Sequence, residues 1–207
     1  MNAGEVVNST PFGGTPYEDV AAGKVKGATM SFIQLGYGDA SNFTDHVTNV
    51  VSHIEHVITD IEEKSLRSVE EYCIGKTTCR EAMKYKGRVN AQNCVLPKRL
   101  KEFTRRWSSK YEKEGYNGLI GVCCVVREHV PKKPETNEPI YNQEEYALAL
   151  EAQAIMNLQL VKKDGRVNNV GYKAGGKTTR PAVAGIVYVA FKLEKTKEEA
   201  EEEDHHI

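Results

Sequence analysis

The chain reads as a small α+β domain, a short central β-sheet flanked by helices. Three observations predict this. Apolar residues recur at helical spacing over 44–62, 97–111 and 143–158, with only a few strand-like runs between them. The run 119–126, Leu-Ile-Gly-Val-Cys-Cys-Val-Val, is apolar on both faces, the pattern of a strand buried at the centre of a sheet. Runs of helix between few strands favour this over a doubly wound sheet.

Taken in order, residues 1–40 are glycine-rich and weakly patterned and read as a flexible N-terminal arm, with 28–33 offering one short strand. The helix over 44–62 follows from Val47, Val50, Val51, Ile54, Val57, Ile58 and Ile61, with Ser41, Asn42 or Thr44 available as cap. His46, His53 and His56 fall on the flank and back of that stripe and are expected to face solvent. Residues 68–78 read as a strand running into a turn, and 80–96 as a basic loop or short helix. Pro97 opens the next helix, because its missing N–H falls among the unpaired donors of the first turn. Leu100, Phe103, Trp107 and Tyr111 form its buried stripe, and Gly115-Tyr116-Asn117-Gly118 ends it. Three prolines make 131–141 a loop. Asn142 with Glu145 three positions on is a capping-box signal for the helix over 143–158. A glycine-rich basic loop spans 165–180 and a last strand 185–191. The chain therefore divides into an arm over 1–40, one α+β domain over 41–194, and an acidic, disordered tail over 195–207.

At 207 residues the chain is long enough for one good core. No apolar run reaches the ~20 residues that cross a bilayer, and Met1-Asn2-Ala3-Gly4-Glu5 lacks the features of a secretory signal. Five irregularly spaced cysteines, two of them adjacent at Cys123 and Cys124 and so facing opposite sides of a strand, do not form a disulfide framework. A reducing intracellular compartment, nuclear or cytoplasmic, with no membrane partner, is the expectation. The net charge of −1 conceals an asymmetry. Over 76–113, twelve basic residues stand against three acidic ones, a local +9 that leaves −10 on the rest. Such a stretch is the electrostatic footprint of a polyanion site.

Certain residues can carry chemistry. Glu151 has Ala147, Leu148, Ala154 and Ile155 as its helical neighbours. A carboxylate on such a face needs a cation or a donor, so Glu151 is a metal ligand, a catalytic group or half of a structural ion pair. On the helix over 97–111, Arg99, Arg106 and Lys110 line one flank of the stripe, with Lys98, Lys101 and Arg105 on the other side. Arg106 suits bidentate phosphate contact, and Lys110 adds a point charge. Gly75, followed by Lys76 and two threonines, can bring backbone N–H groups to an anion.

Tyr72-Cys73-Ile74-Gly75-Lys76-Thr77, then Arg105-Arg106-Trp107, then Glu151, then Asn168-Asn169 ahead of Gly175-Gly176, resemble in order and spacing the GIY-YIG nuclease family over roughly 68–180. The resemblance implies a GIY-YIG-like fold and divalent-metal-dependent phosphodiester cleavage on nucleic acid, DNA ahead of RNA, with Mg or Mn as cofactor. It implies Arg106 as the transition-state arginine, Glu151 as the metal ligand, and Asn168 or Asn169 as the late asparagine. Gly75, Lys76, Arg99, Arg105, Lys173 and Lys177 would join these asparagines in binding nucleic acid. The sequence departs from the pattern in two places: Cys73 stands where the second tripeptide has tyrosine, and Lys110 where many members have histidine or tyrosine. The first tripeptide has no match upstream, but Gly185-Ile186-Val187-Tyr188 reads as a displaced copy. The catalytic phenol is therefore Tyr72 or Tyr188. Two other functions stay open: a catalytically silent nucleic-acid-binding module of the same fold, and a protein-interaction domain.

Overall fold

A computed structural model of the chain describes residues 6–7, 15–36, 42–79, 106–169 and 184–196. It is an α+β fold. One sheet holds β1 (Val6–Val7), β2 (Gly27–Ile33), β3 (Val69–Cys79), β4 (Gly118–Val125) and β5 (Ala184–Leu193), in the spatial order β1-β2-β4-β5-β3. β2 and β4 run parallel; the other neighbours are antiparallel. The strand expected at the centre is there. β4 is the middle strand of five, and all eight of its residues are buried.

Among the described residues, three α-helices accompany the sheet: α1 (Tyr17–Ala21), α2 (Phe43–Ser65) and α3 (Gln143–Met156). One core unites the apolar stripes of α2 and α3 with Tyr72, Ile74, Ile120, Val187 and Phe191 of the sheet. A second core, on the other face, contains Cys73, Leu119, Tyr188 and Ala190 together with Trp107, Tyr111 and Tyr116. Cys123 belongs to the first and Cys124 to the second, so the adjacent thiols do face opposite ways. The start of α3 forms as its sequence dictates. Asn142 Oδ1 accepts from the Glu145 N–H at 2.8 Å, and Glu145 Oε2 accepts from the Asn142 N–H at 3.2 Å.

Two expectations are corrected. The arm expected over 1–40 contributes β1, α1 and β2 to the domain, with Val20, Ala21 and Met30 buried. β2 has β1 on one side and β4 on the other, and its first five residues are all buried. A short strand covered on both faces shows no alternation, and glycines on either side disguised it. The histidines of α2 are not all solvated. His46 and His53 are buried, the first bonded through Nδ1 to the Tyr146 hydroxyl at 2.8 Å, the second through Nε2 to the Ser31 carbonyl at 2.5 Å. β2 and α3 cover them, which a helix read in isolation does not reveal. His56 is exposed, as expected.

The outer edge of β3 is covered by the segment 166–169. The Tyr72 N–H donates to the Arg166 carbonyl at 2.9 Å, and the Asn168 N–H donates to the Tyr72 carbonyl at 2.7 Å. Tyr72 Oη donates to Asp164 at 2.8 Å, and Arg166 donates to both oxygens of the same carboxylate at 2.9–3.0 Å. The Arg166 bonds hold the Asp164 carboxyl at about 2, against burial, which alone would raise it. A carboxyl lowered in the folded state stabilises the fold above its unfolded value of 3.8, and that contribution is lost as the pH falls through about 2. Acid unfolding of the wild type and Asp164→Asn should therefore differ. Between pH 4 and 2 the wild type should lose about 1–2 kcal/mol more than the variant, solvent screening included; equal losses would remove Asp164 from the account of this edge.

Candidate functional site

The site is built around Tyr188. The β3–β5 register sets Tyr188 opposite Gly75, and the β4–β5 register sets it opposite Gly121. A large ring thus stands between two residues without side chains. A Cβ on Gly75 would lie 2.4 Å from Cζ and Oη of Tyr188, well inside contact distance. The expectation that Gly75 opens space for an anion at a strand end is corrected. Gly75 lies within β3, and its open space is filled by the Tyr188 ring.

Tyr111 reaches the same place from a different element. Residues Trp107–Tyr111 form a single π-helical turn, closed by the Glu112 N–H on the Trp107 carbonyl at 3.0 Å. The wider turn advances the chain by more residues per revolution than the α-helical spacing assumed from sequence. Trp107 and Tyr111 are buried, while Arg106 and Lys110 remain exposed. The hydroxyls of Tyr111 and Tyr188 are 2.9 Å apart, with their rings edge to face at 5.6 Å and 78°. Tyr111 also meets Tyr116 edge to face at 5.2 Å. The Cys73 thiol is buried in the same cluster as Tyr111, Tyr116 and Tyr188.

The electrostatics follow from burial and from four neighbours. Burial pushes the Tyr188 phenol up to about 12; the Tyr111 hydrogen bond and the charge of Arg106 draw it down, and Cys73 and Glu151 push it up. Burial raises Tyr111 and Tyr116 further still, and the Cys73 thiol also lies above its ordinary value for the same reason. All four groups are therefore protonated near neutral pH. Arg106 and Glu151, chosen from the sequence for unrelated reasons, both act on Tyr188 from different helices. Glu151 is 5% exposed, as its apolar neighbours required.

The other sequence candidates are placed differently. Tyr72 lies on the opposite face of β3 from Cys73, in the core with α2, and is not brought together with Tyr188 and Arg106. Period-two alternation puts it there, and its hydroxyl is committed to Asp164. Lys76 faces α3, where its Nζ is 2.7 Å from Glu144 Oε1 in a pair whose side chains are 7% and 11% exposed. Asn169 spends its amide on the backbone, donating to the Ile74 carbonyl at 2.8 Å and accepting from the Ile74 N–H at 3.0 Å. Asn168 donates to Glu71 Oε2 at 2.8 Å. Both asparagines therefore serve the edge of β3 rather than a phosphate. Lys110 lies over the Tyr111 ring at 4.8 Å. Arg99, Arg105, Lys173 and Lys177 lie outside the described residues.

Among the described residues, no three His, Cys, Asp or Glu side chains are grouped to hold a metal, and no helix is long and apolar enough to cross a membrane. Cys73, Cys123 and Cys124 are thiols, all buried. The residues that sequence reasoning missed at this site are Tyr111 and Tyr116. A signal for the first existed: Tyr111 stands five residues after Arg106, one π-turn away. No known family, curated protein or solved structure matches the chain.

The Gly75–Tyr188 contact is open to test. Gly75→Ala should destabilise the domain by about 1–3 kcal/mol, the usual cost of overpacking. In a Tyr188→Ala background the same change should cost little, since the ring it strikes is gone; denaturant unfolding of the four proteins measures the coupling. Equal costs in both backgrounds would refute the contact.

Proposed function

We propose that the chain is a divalent-metal-dependent phosphodiesterase acting on nucleic acid, DNA ahead of RNA, with a GIY-YIG-like site. The observation that carries this reading is the action of Arg106 and Glu151 on one buried phenol, Tyr188, which is itself bonded to a second phenol, Tyr111. Phosphodiester hydrolysis needs this inventory. A cation stabilises the charge that grows on the phosphate, and a phenol positions the attacking water. A carboxylate serves as ligand to a hard ion.

Arg106 is exposed at the rim and suits the phosphate. Lys110, exposed four residues on, adds charge beside it. Tyr188, protonated at neutral pH, orients water as a neutral phenol rather than removing its proton as a phenolate. Glu151 fits the metal role because a single carboxylate suffices for Mg or Mn, which keep several waters and take substrate oxygens as further ligands. Bound there, the ion would neutralise the phosphate and the leaving oxygen. The +9 stretch over 76–113 supports a polyanionic substrate.

A second reading, a catalytically silent nucleic-acid-binding module of the same fold, is favoured by one observation: position 73 holds a thiol where the family pattern has a phenol. Plasmid nicking with and without Mg²⁺ or Mn²⁺ separates the two. The wild type should nick only with metal, and Glu151→Gln should abolish nicking while leaving the fold intact. Arg106→Ala should weaken binding and flatten the salt dependence by about one phosphate contact. Salt-sensitive binding without nicking would favour the silent module, and no binding at low salt would overturn both.

A further inference from the structure

α3 is continued by a second π-helical turn, Asn157–Val161, and the two together are apolar nearly all round. Between Glu145 and Lys162 the one charged residue is Glu151, which is buried. A helix of that composition is ordinarily covered on every side. Here one side is open. Tyr146, Leu150, Ala154 and Leu158 lie in the core, but Met156 is 50% exposed, Leu160 67% and Val161 73%. Ala149 and Ala152 are partly exposed. Glu145, Ala149, Ala152, Met156 and Leu160 follow one another at steps of four, three, four and four, the spacing of a single stripe along a helix.

We infer that this stripe is the interface of a homodimer, in which α3 packs antiparallel against α3 of a second copy across a two-fold axis level with residue 154. Two gradients along the stripe fix the occupant. Side chains are small in the first half, Ala149 and Ala152, and large in the second, Met156 and Leu160. Charge also changes along it. Glu145 stands at the start, while Lys162 and Lys163 stand exposed just past the end. An antiparallel copy reverses both gradients. It sets Ala152 against Met156 of the second copy, Ala149 against Leu160 and Glu145 against Lys163, and each pair is centred on residue 154 to within half a position.

A small residue facing a large one lets two helices approach closely without overpacking. Opposite charges at the rim set the direction of the pair. The two-fold axis makes every such contact twice. A parallel copy would instead set Met156 on Met156 and Lys163 on Lys163. Lys162 is already 2.7 Å from Glu55, so Lys163 is the base assigned to this contact. The pairing does not depend on whether the chain cleaves phosphodiesters.

Sedimentation velocity of the full chain, at concentrations up to about 300 µM, tests the pairing. The wild type should show a reversible monomer–dimer equilibrium. Met156→Asp puts a charge beside the axis in both copies and should raise the dissociation constant roughly tenfold or more. Leu160→Asp should do the same at a more exposed position, so that if either variant loses its fold, seen as a fall in its urea midpoint, the other decides. Glu145→Lys and Lys163→Glu should each weaken association by about threefold to tenfold, since each repulsion is felt twice. Carrying both changes in one chain should recover association, because the reversed charges again face each other in an antiparallel copy. A wild type that stays monomeric over this range would overturn the inference and leave the face to another part of the chain or to a different protein. Dimers that survive both aspartates would place the interface elsewhere and overturn it too. A double charge variant no better than either single one would overturn the antiparallel pairing.

Discussion

The ring of Tyr188 lies across Gly75, and much of the molecule is arranged around that contact. A one-residue slip of β5 against β3 would set a side chain under the ring and turn Tyr188 to the opposite face of the sheet. The observed register instead puts Tyr188 on the same face as Cys73, within reach of Tyr111. It also puts Phe191 opposite Tyr72 in the core beneath α2 and α3. The two faces of the sheet thus have different characters. One is an aliphatic core with a buried ion pair at its rim, Lys76 with Glu144. The other buries two phenols whose hydroxyls bond to each other, with a thiol in the same cluster.

On that second face, position 73 holds a buried thiol. Tyr111 and Tyr116 pack in the same cluster from the neighbouring segment. The π-helical turn is the device that brings Tyr111 in. A buried phenol costs free energy unless its hydroxyl finds a partner, and here the Tyr111 and Tyr188 hydroxyls find one in each other. Linked polar groups of this kind are sensitive to the loss of any single member.

Much of the architecture was legible in the sequence because the local signals agreed. The central strand, the helix over 44–62, the capping box at Asn142 and the opposite facing of Cys123 and Cys124 all follow from periodicity and cap chemistry. Glu151 was legible as a buried carboxylate because its four helical neighbours are apolar. The opposite facing of Tyr72 and Cys73 was also legible, from alternation alone. What escaped depended on contacts between distant segments. β2 lacks an alternating pattern because both its faces are covered. Tyr111 was legible as a core residue from its place in the apolar stripe, but not its bond to the Tyr188 hydroxyl. Asn168 and Asn169 were read toward a phosphate, yet their amides complete the edge of β3, a use that only the folded neighbourhood reveals.

The central claim is that Tyr188 and Glu151 belong to one ion-dependent site while Tyr72 does not. It can be tested with ¹³C-labelled tyrosine rings and Mn²⁺, whose paramagnetism broadens nearby resonances. The chain has ten tyrosines, each assignable by substitution to phenylalanine. At substoichiometric Mn²⁺, the account predicts that Tyr188 and Tyr111 broaden first, that Tyr72 stays sharp, and that Glu151→Gln removes the effect. Broadening led by Tyr72, or unchanged in Glu151→Gln, would contradict it.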